Sequence, residues 1–370
     1  MVPRGRHVGP NHPARFNPGR NYSISANMMM VTLIAAVFSG VATWAAARFV
    51  LGQLAARGVM DRPNERSSHD RPVPRGGGLA VIGVIAPVWL VVALFNGILA
   101  TVWPVVLAAL ALAALSFIDD LRGLPPLPRV AAHIIAVSLG LWLLPDHAML
   151  FDGWLPLWAD RIVTALAWIW FINLFNFMDG IDGITGVETI AVTGGLAFAL
   201  IVMVSDGGGD WSHAPLAAVL AGAAAGFLVL NWHPARLFLG DVGSVPLGYL
   251  IGWLLVWAAC VASLWWLVLI LPLYYWGDAT TVLIRRALKG EKIWHAHRSH
   301  AYQLAVQAGA SHAHVSLLIA TLNLALVALT LCVAIGAIGP WTALVPSALL
   351  TLAALCYLRF RLGRKNGSPA

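Results

Sequence analysis

The chain is poor in cysteine and poor in charge. Its three cysteines, Cys260, Cys332 and Cys356, stand singly within apolar runs, without the pairing of a disulfide framework or the spacing of a metal-ligand set. Charged residues fill only 11% of 370 positions, against about 25% in a soluble domain. That excludes a water-soluble globular fold. A cleaved signal peptide is not expected either, because no A-x-A-like site follows the first apolar run.

What is present in quantity is hydrocarbon. Hydrophobic residues make up 59% of the chain, which carries 17 tryptophans and has a mean hydropathy of +0.79. The expected fold is an all-α polytopic membrane bundle. Runs long enough to cross about 30 Å of hydrocarbon give eleven candidate helices, from 29–51 to 340–358, or ten if the weakest is discounted. The fourth, 130–145, is short, and the eighth and ninth, 244–261 and 263–283, are nearly continuous. Three regions are expected: an irregular tail over 1–28, one transmembrane domain over 29–360, and a short basic tail over 361–370. The run of three methionines at 28–30 favours a translation start there.

The formal charge of +7 is a topology signal in such a chain, with no nucleic acid implied. With the first helix running from outside to inside, seventeen arginines and lysines fall in inner segments and Arg161 alone in the outer loops. This bias orients the bundle. The same map places every acid-rich or histidine-rich cluster on the inner face. These are "DRPNERSSHDRPVPRGGG" (61–78), "FIDDLRGLPPLPR" (117–129), "NLFNFMDGIDGI" (173–184), "FLGDVGS" (238–244) and "HAHRSHAYQ" (295–303). Five polar loops on one side of a membrane read as one site.

A charge at mid-span costs about 2.5 to 3.5 kcal/mol on insertion scales, so intramembrane polar groups call for a purpose. Asn173, Asn176, Asp179 and Asp182 recur every three residues and share a face while the chain stays helical. Asn carbonyls and carboxylates suit a hard divalent cation such as Mg²⁺, with Mn²⁺ as a substitute. The order of residues excludes an EF-hand. Asp119 and Asp120 are adjacent, so they are expected to serve different partners. Asp241 opens the eighth helix, where backbone N–H groups favour an anion. Arg122, Arg129, His297, Arg298 and His300 supply cations for a diphosphate, and His69 and Arg75 form a further candidate phosphate contact. The histidines lack a neighbouring cysteine or an H-E-x-x-H order, which argues against zinc in that loop.

In this order, the "DD" pair, "NLFNFMDGIDGI", "FLGDVGS", "HAHRSH" and the early "RSSHDRPVPRGGGLAV" resemble the inner-face motifs of the polyprenyl-phosphate N-acetylhexosamine-1-phosphate transferases. The likeness covers roughly residues 30–360. It implies an inner-membrane, Mg²⁺-dependent enzyme that moves a sugar-1-phosphate from a UDP-N-acetylhexosamine to undecaprenyl phosphate, releasing UMP, with a homodimer left open. By resemblance and position, Asn176 and Asp241 are assigned to the metal, supported by Asp120. Asp119 is assigned to the acceptor, and Asn173, Asp179 and Asp182 to the nucleotide and inner shell. The muramoyl-pentapeptide branch carries consecutive histidines in the last loop, and here they are interrupted. That favours the branch initiating O-antigen or other surface polysaccharides, with the peptidoglycan transferase as the alternative. An ion-coupled transporter is the rival from another class, but no internal repeat accompanies these acids. An aspartyl protease fails for want of a G-x-G-D element.

Overall fold

The computed structural model describes residues 18–61, 71–205, 212–291 and 298–362. Within them the regular elements are helices apart from one short hairpin, β1 (Met60–Asp61) with β2 (Val73–Pro74), antiparallel. The long helices are α1 (Pro18–Ala56), α2 (Gly78–Phe95), α3 (Leu99–Arg122), α4 (Pro126–Trp142), α5 (Leu157–Phe177), α6 (Ile184–Ser205), α7 (Ala214–Asn231) and α8 (Asp241–Cys260). They are followed by α9 (Trp265–Ile270), α10 (Leu273–Leu288), α11 (Ala301–Gln307), α12 (His312–Ala334) and α13 (Pro340–Cys356), which ends in a π-helical turn, Tyr357–Leu362.

Among the described residues, nine helices are long and apolar enough to cross a membrane, and α4 is a shorter apolar helix of 17 residues. At 1.5 Å per residue α4 reaches about 25 Å, just short of the hydrocarbon thickness. The segment expected as one span over 263–283 is instead two helices, α9 and α10. Pro272 lies between them, and its ring and missing N–H break the ladder. At the other end, α1 runs back to Pro18, into the segment expected to be irregular. The protein is a multi-pass membrane helical bundle.

Helix α8 is its axis: every residue from Val242 to Cys260 is buried, with α2, α3 and α5 packed around it. Trp168 stacks on Tyr249 of α8 and donates to its carbonyl at 3.2 Å. Helix α1 lies on α7 through glycines. A Cβ on Gly222 would come within 2.0 Å of the Ala36 carbonyl oxygen, and one on Gly226 as close to that of Gly40. Spaced four residues apart on α7, these glycines let two backbones touch, which packs helices in lipid where no hydrophobic force separates protein from solvent. Trp142, Trp154 and Trp158 stay exposed around the α4–α5 connection, the interfacial position such rings favour. The carboxylates of the motifs gather at the opposite end, where α3 and α5 finish and α2 and α8 begin.

Candidate active site

Backbone hydrogen bonds join the early loop to the segment before α8. The N–H groups of Gly76 and Gly77 donate to the Phe238 carbonyl at 3.2 and 2.8 Å, and Gly78 donates to that of Leu239 at 2.9 Å. The approach is so close that a Cβ on Gly78 would lie 2.2 Å from the Gly243 nitrogen. This crossing delivers Arg75 onto two carboxylates at once. Its Nη2 lies 2.8 Å from Asp241 Oδ1 and 2.8 Å from Asp120 Oδ1. Asp120 Oδ2 also accepts from Val242 N–H at 3.4 Å, at the positive end of the α8 dipole. The N–H groups of Gly243 and Ser244 are engaged with the Gly240 carbonyl.

Asp119 turns elsewhere. One oxygen lies 3.1 Å from Arg129 Nη1, and the other accepts from Leu124 N–H at 2.6 Å. Successive residues on a helix project about 100° apart, so the tandem acids serve two neighbouring sites. Arg122, in the same last turn of α3, is exposed.

Helix α5 ends at Phe177, and the row of oxygens expected from the three-residue spacing divides there. Asn173 donates back to the Ile169 carbonyl at 2.7 Å. Asn176 holds a buried amide nitrogen with no partner among the described residues. Asp179 sits in the turn after α5. Burial and the charges of Asp241 and Asp120 push its pKa up to about 6, against the pull of Thr185 and Arg75. Asp120 and Asp241 share one guanidinium, and Asp179 lies within electrostatic reach of all three, an arrangement short of positive charge. Hard oxygen donors from the ends of different helices fit Mg²⁺, which takes few protein ligands and shares the rest with phosphate.

Asp182 leaves that row for different company. His233 Nδ1 lies 2.6 Å from Asp182 Oδ2, which also accepts from Ala235 N–H at 3.1 Å, and His312 Nδ1 lies 3.2 Å from Asp182 Oδ1. Burial opposes its ionisation, yet the two imidazoles and the Ala235 N–H hold its carboxyl below the usual carboxylate range. Asn231 braces the turn by accepting from Gly183 N–H and donating to the Leu237 carbonyl, each at 3.0 Å. These groups flank a cavity of about 610 Å³, lined also by Arg71 and Arg298.

His300 does not line that cavity. It is buried at the start of α11, its Nδ1 3.6 Å from Asp278 Oδ1 and its ring stacked on Tyr302. Asp278 in turn accepts from Ala301 N–H at 3.0 Å. His69 and His297 lie outside the described residues, as do Ser67, Ser68 and His295. Sequence reasoning missed His233, His312, Asn231 and Asp278. Of these, Asn231 and His233 stood ten and eight residues before Asp241, inside "NWHPARLFLGD", and were the two within reach of a local signal.

The sequence model of glycosyl transferase family 4 matches residues 102–259, which span the tandem acids, the Asn/Asp turn and Asp241. The chain is 30% identical over 322 residues to the decaprenyl-phosphate N-acetylglucosaminephosphotransferase of Mycobacterium tuberculosis strain H37Rv, covering 79% of each. It is 30% identical over 271 residues to the probable undecaprenyl-phosphate N-acetylglucosaminyl 1-phosphate transferase of Bacillus subtilis strain 168, covering 69% of this chain and 72% of that one. It is 29% identical over 291 residues to a phospho-N-acetylmuramoyl-pentapeptide-transferase of Synechococcus sp. strain CC9311, covering 73% and 76%. With its tandem acids, Asn/Asp turn and Asp241 falling inside the family match and meeting at one end of the bundle, the chain belongs to glycosyl transferase family 4, within the superfamily of polyprenyl-phosphate N-acetylhexosamine-1-phosphate transferases.

Proposed function

We propose that the protein moves N-acetylhexosamine-1-phosphate from a UDP-sugar to undecaprenyl phosphate and releases UMP, as the first membrane step of O-antigen or another surface polysaccharide. The observation that carries this reading is the convergence of Asp120, Asp241 and Arg75 at one end of the bundle, beside the separate Asp119–Arg129 pair. Two phosphates, one of them on a lipid, must meet where charge and hydrocarbon adjoin. The charge bias along the chain supports a cytoplasmic position for that end, in the inner membrane where the lipid acceptor would be met.

The acceptor phosphate oxygen attacks the β-phosphorus of the donor, and the bond from that phosphorus to the UMP oxygen breaks. Such transfers rest on positioning and charge stabilisation more than on covalent chemistry. The acceptor has a second pKa near 6 and is mostly a dianion at neutral pH, so a strong base is dispensable. Asp119 orients Arg129 toward the acceptor and takes up what proton remains. Asp241 and Asn176 would hold Mg²⁺, with Asp120 beside them. When bound, the ion offsets the diphosphate charge. Asp179 would serve the nucleotide, and Arg298, which lines the cavity beside Asp182, would take the diphosphate or sugar. Asn173 is turned back onto its own helix and His300 is buried against Asp278, so neither is given a ligand here. Interruption of the histidine run favours this branch over the peptidoglycan enzyme.

The test is a panel of UDP-sugars given to purified protein with undecaprenyl phosphate and Mg²⁺, scored by UMP. Release of UMP that requires both additions, and reversal by excess UMP, is expected. Release of UDP, or none with any UDP-N-acetylhexosamine, would refute it.

A further inference from the structure

Asp182, His233 and His312 offer one ligand atom each, and these atoms lie within 4.8 Å of one another. They come from three separate segments: the turn before α6, the loop before α8 and the first residue of α12. Both imidazoles turn the same nitrogen, Nδ1, to the two oxygens of one carboxylate, with ring centroids 5.0 Å apart.

His312 Nδ1 lies 3.2 Å from Asp182 Oδ1 and 3.3 Å from Asp182 N, and His233 Nδ1 lies 2.6 Å from Asp182 Oδ2. Imidazolium–carboxylate hydrogen bonds hold the three together, and an ion that displaces those protons would find its nitrogen and oxygen ligands already gathered.

We propose that Asp182, His233 and His312 form a second metal site, distinct from the carboxylate cluster around Asp241, for a borderline ion such as Zn²⁺. Two imidazoles and one carboxylate make a ligand set that Mg²⁺ disfavours and Zn²⁺ accepts. Bonds of about 2.0 to 2.1 Å put adjacent ligands about 3.4 Å apart in a tetrahedron, within side-chain adjustment of the observed spacing. The fourth position opens to the cavity, where water completes the shell. Bound there, the ion ties the start of α12 to the turn before α6 and the loop after α7, and stiffens one cavity wall. The proposal rests on this geometry and not on the donor or acceptor assigned above.

The test uses full-length protein in detergent, purified on a tag without histidine and stripped with EDTA. Zinc chloride is titrated while binding and Tm are followed, and Co²⁺ replaces it to report tetrahedral coordination by its visible spectrum. One tight equivalent and a raised Tm are expected. His233→Gln and His312→Gln should each weaken Zn²⁺ by more than the about 10- to 100-fold typical of losing an outer partner. His233→Cys, which restores a ligand, should recover most of the affinity. Asp241→Asn should bind Zn²⁺ as the parent does. Tm without metal establishes that each variant folds, and if one glutamine variant does not, the other and the cysteine variant decide the matter. Absence of Zn²⁺ binding, binding indifferent to both histidines, or binding lost with Asp241→Asn would overturn the proposal.

Discussion

Arg75 and Asp241, 166 residues apart in the chain, are joined by a 2.8 Å hydrogen bond from Nη2 to Oδ1, and the same nitrogen is the counter-charge of Asp120. Removing that guanidinium leaves two carboxylates facing each other. Arg75→Ala is expected to lower UMP release about 100-fold, the scale of losing one preorganised charge-stabilising group. Arg75→Lys should recover part of it, since an ammonium supplies the charge without the planar fork. Turnover of purified variants with UDP-sugar and polyprenyl phosphate measures both, and full activity in Arg75→Ala would remove this residue from the site.

Asp119 and Asp241 should answer to different rescues. Asp241→Asn is expected to abolish turnover at every pH, with a fraction returning as Mg²⁺ is raised, because weakened binding responds to concentration. Asp119→Asn should lose about 10² to 10⁴-fold and recover in part above pH 6 to 7, where the acceptor phosphate ionises unaided. Recovery of Asp119→Asn with Mg²⁺ instead of pH would reverse the two assignments.

The raised pKa of Asp179 carries a pH signature in stability. Its folded value of about 6 exceeds the ordinary 3.8, so the folded protein binds the extra proton between those values. Stability from this group therefore falls as pH rises from about 4 to 6 and stays reduced above. Asp179→Asn in metal-free protein should raise Tm relative to the parent at pH 7.5 and lose that advantage at pH 4. An equal Tm difference at both pH values would mean that the burial of this carboxylate is not what matters.

Gly78→Ala tests the crossing that delivers Arg75. A Cβ there would meet backbone atoms of Val242 and Gly243 at under 3 Å, so one strand of the crossing must move. Overpacking of this kind costs about 1 to 3 kcal/mol or more. A lower Tm and a loss of activity like that of Arg75→Ala are expected. Normal thermal unfolding would mean that the loop and α8 separate without cost.

Topology is checked with cysteines introduced singly. Those at Ser68 and Lys289 should be shielded from an impermeant thiol reagent in intact cells, and one at Gly208 should react. The seventeen-to-one charge bias requires it. External labelling of Ser68 or Lys289 would turn the carboxylate end of the bundle outward.

Much of this protein was written locally. A hydrocarbon run of sufficient length determines a membrane helix because backbone polar groups have no other partner in lipid, which is why most spans stood where the sequence placed them. Adjacency alone required Asp119 and Asp120 to diverge. The break at Pro272 had its signal in the sequence too, but continuous hydrophobicity over 263–283 concealed it.

What only the tertiary structure decided is the company each polar group keeps. The three-residue spacing of Asn173, Asn176, Asp179 and Asp182 is a statement about a continuing helix, and α5 stops at Phe177. Past that point the turn sends Asp179 toward Asp241 and Asp182 toward His233 and His312, 51 and 130 residues further along the chain. Asp278 likewise supports α11 from 23 residues away. Helix formation depends on neighbours within a turn or two and can be read from them. Which helix ends meet depends on the packing of whole spans around α8, set by glycine contacts and buried rings distributed over the entire chain, and no local pattern encodes that sum.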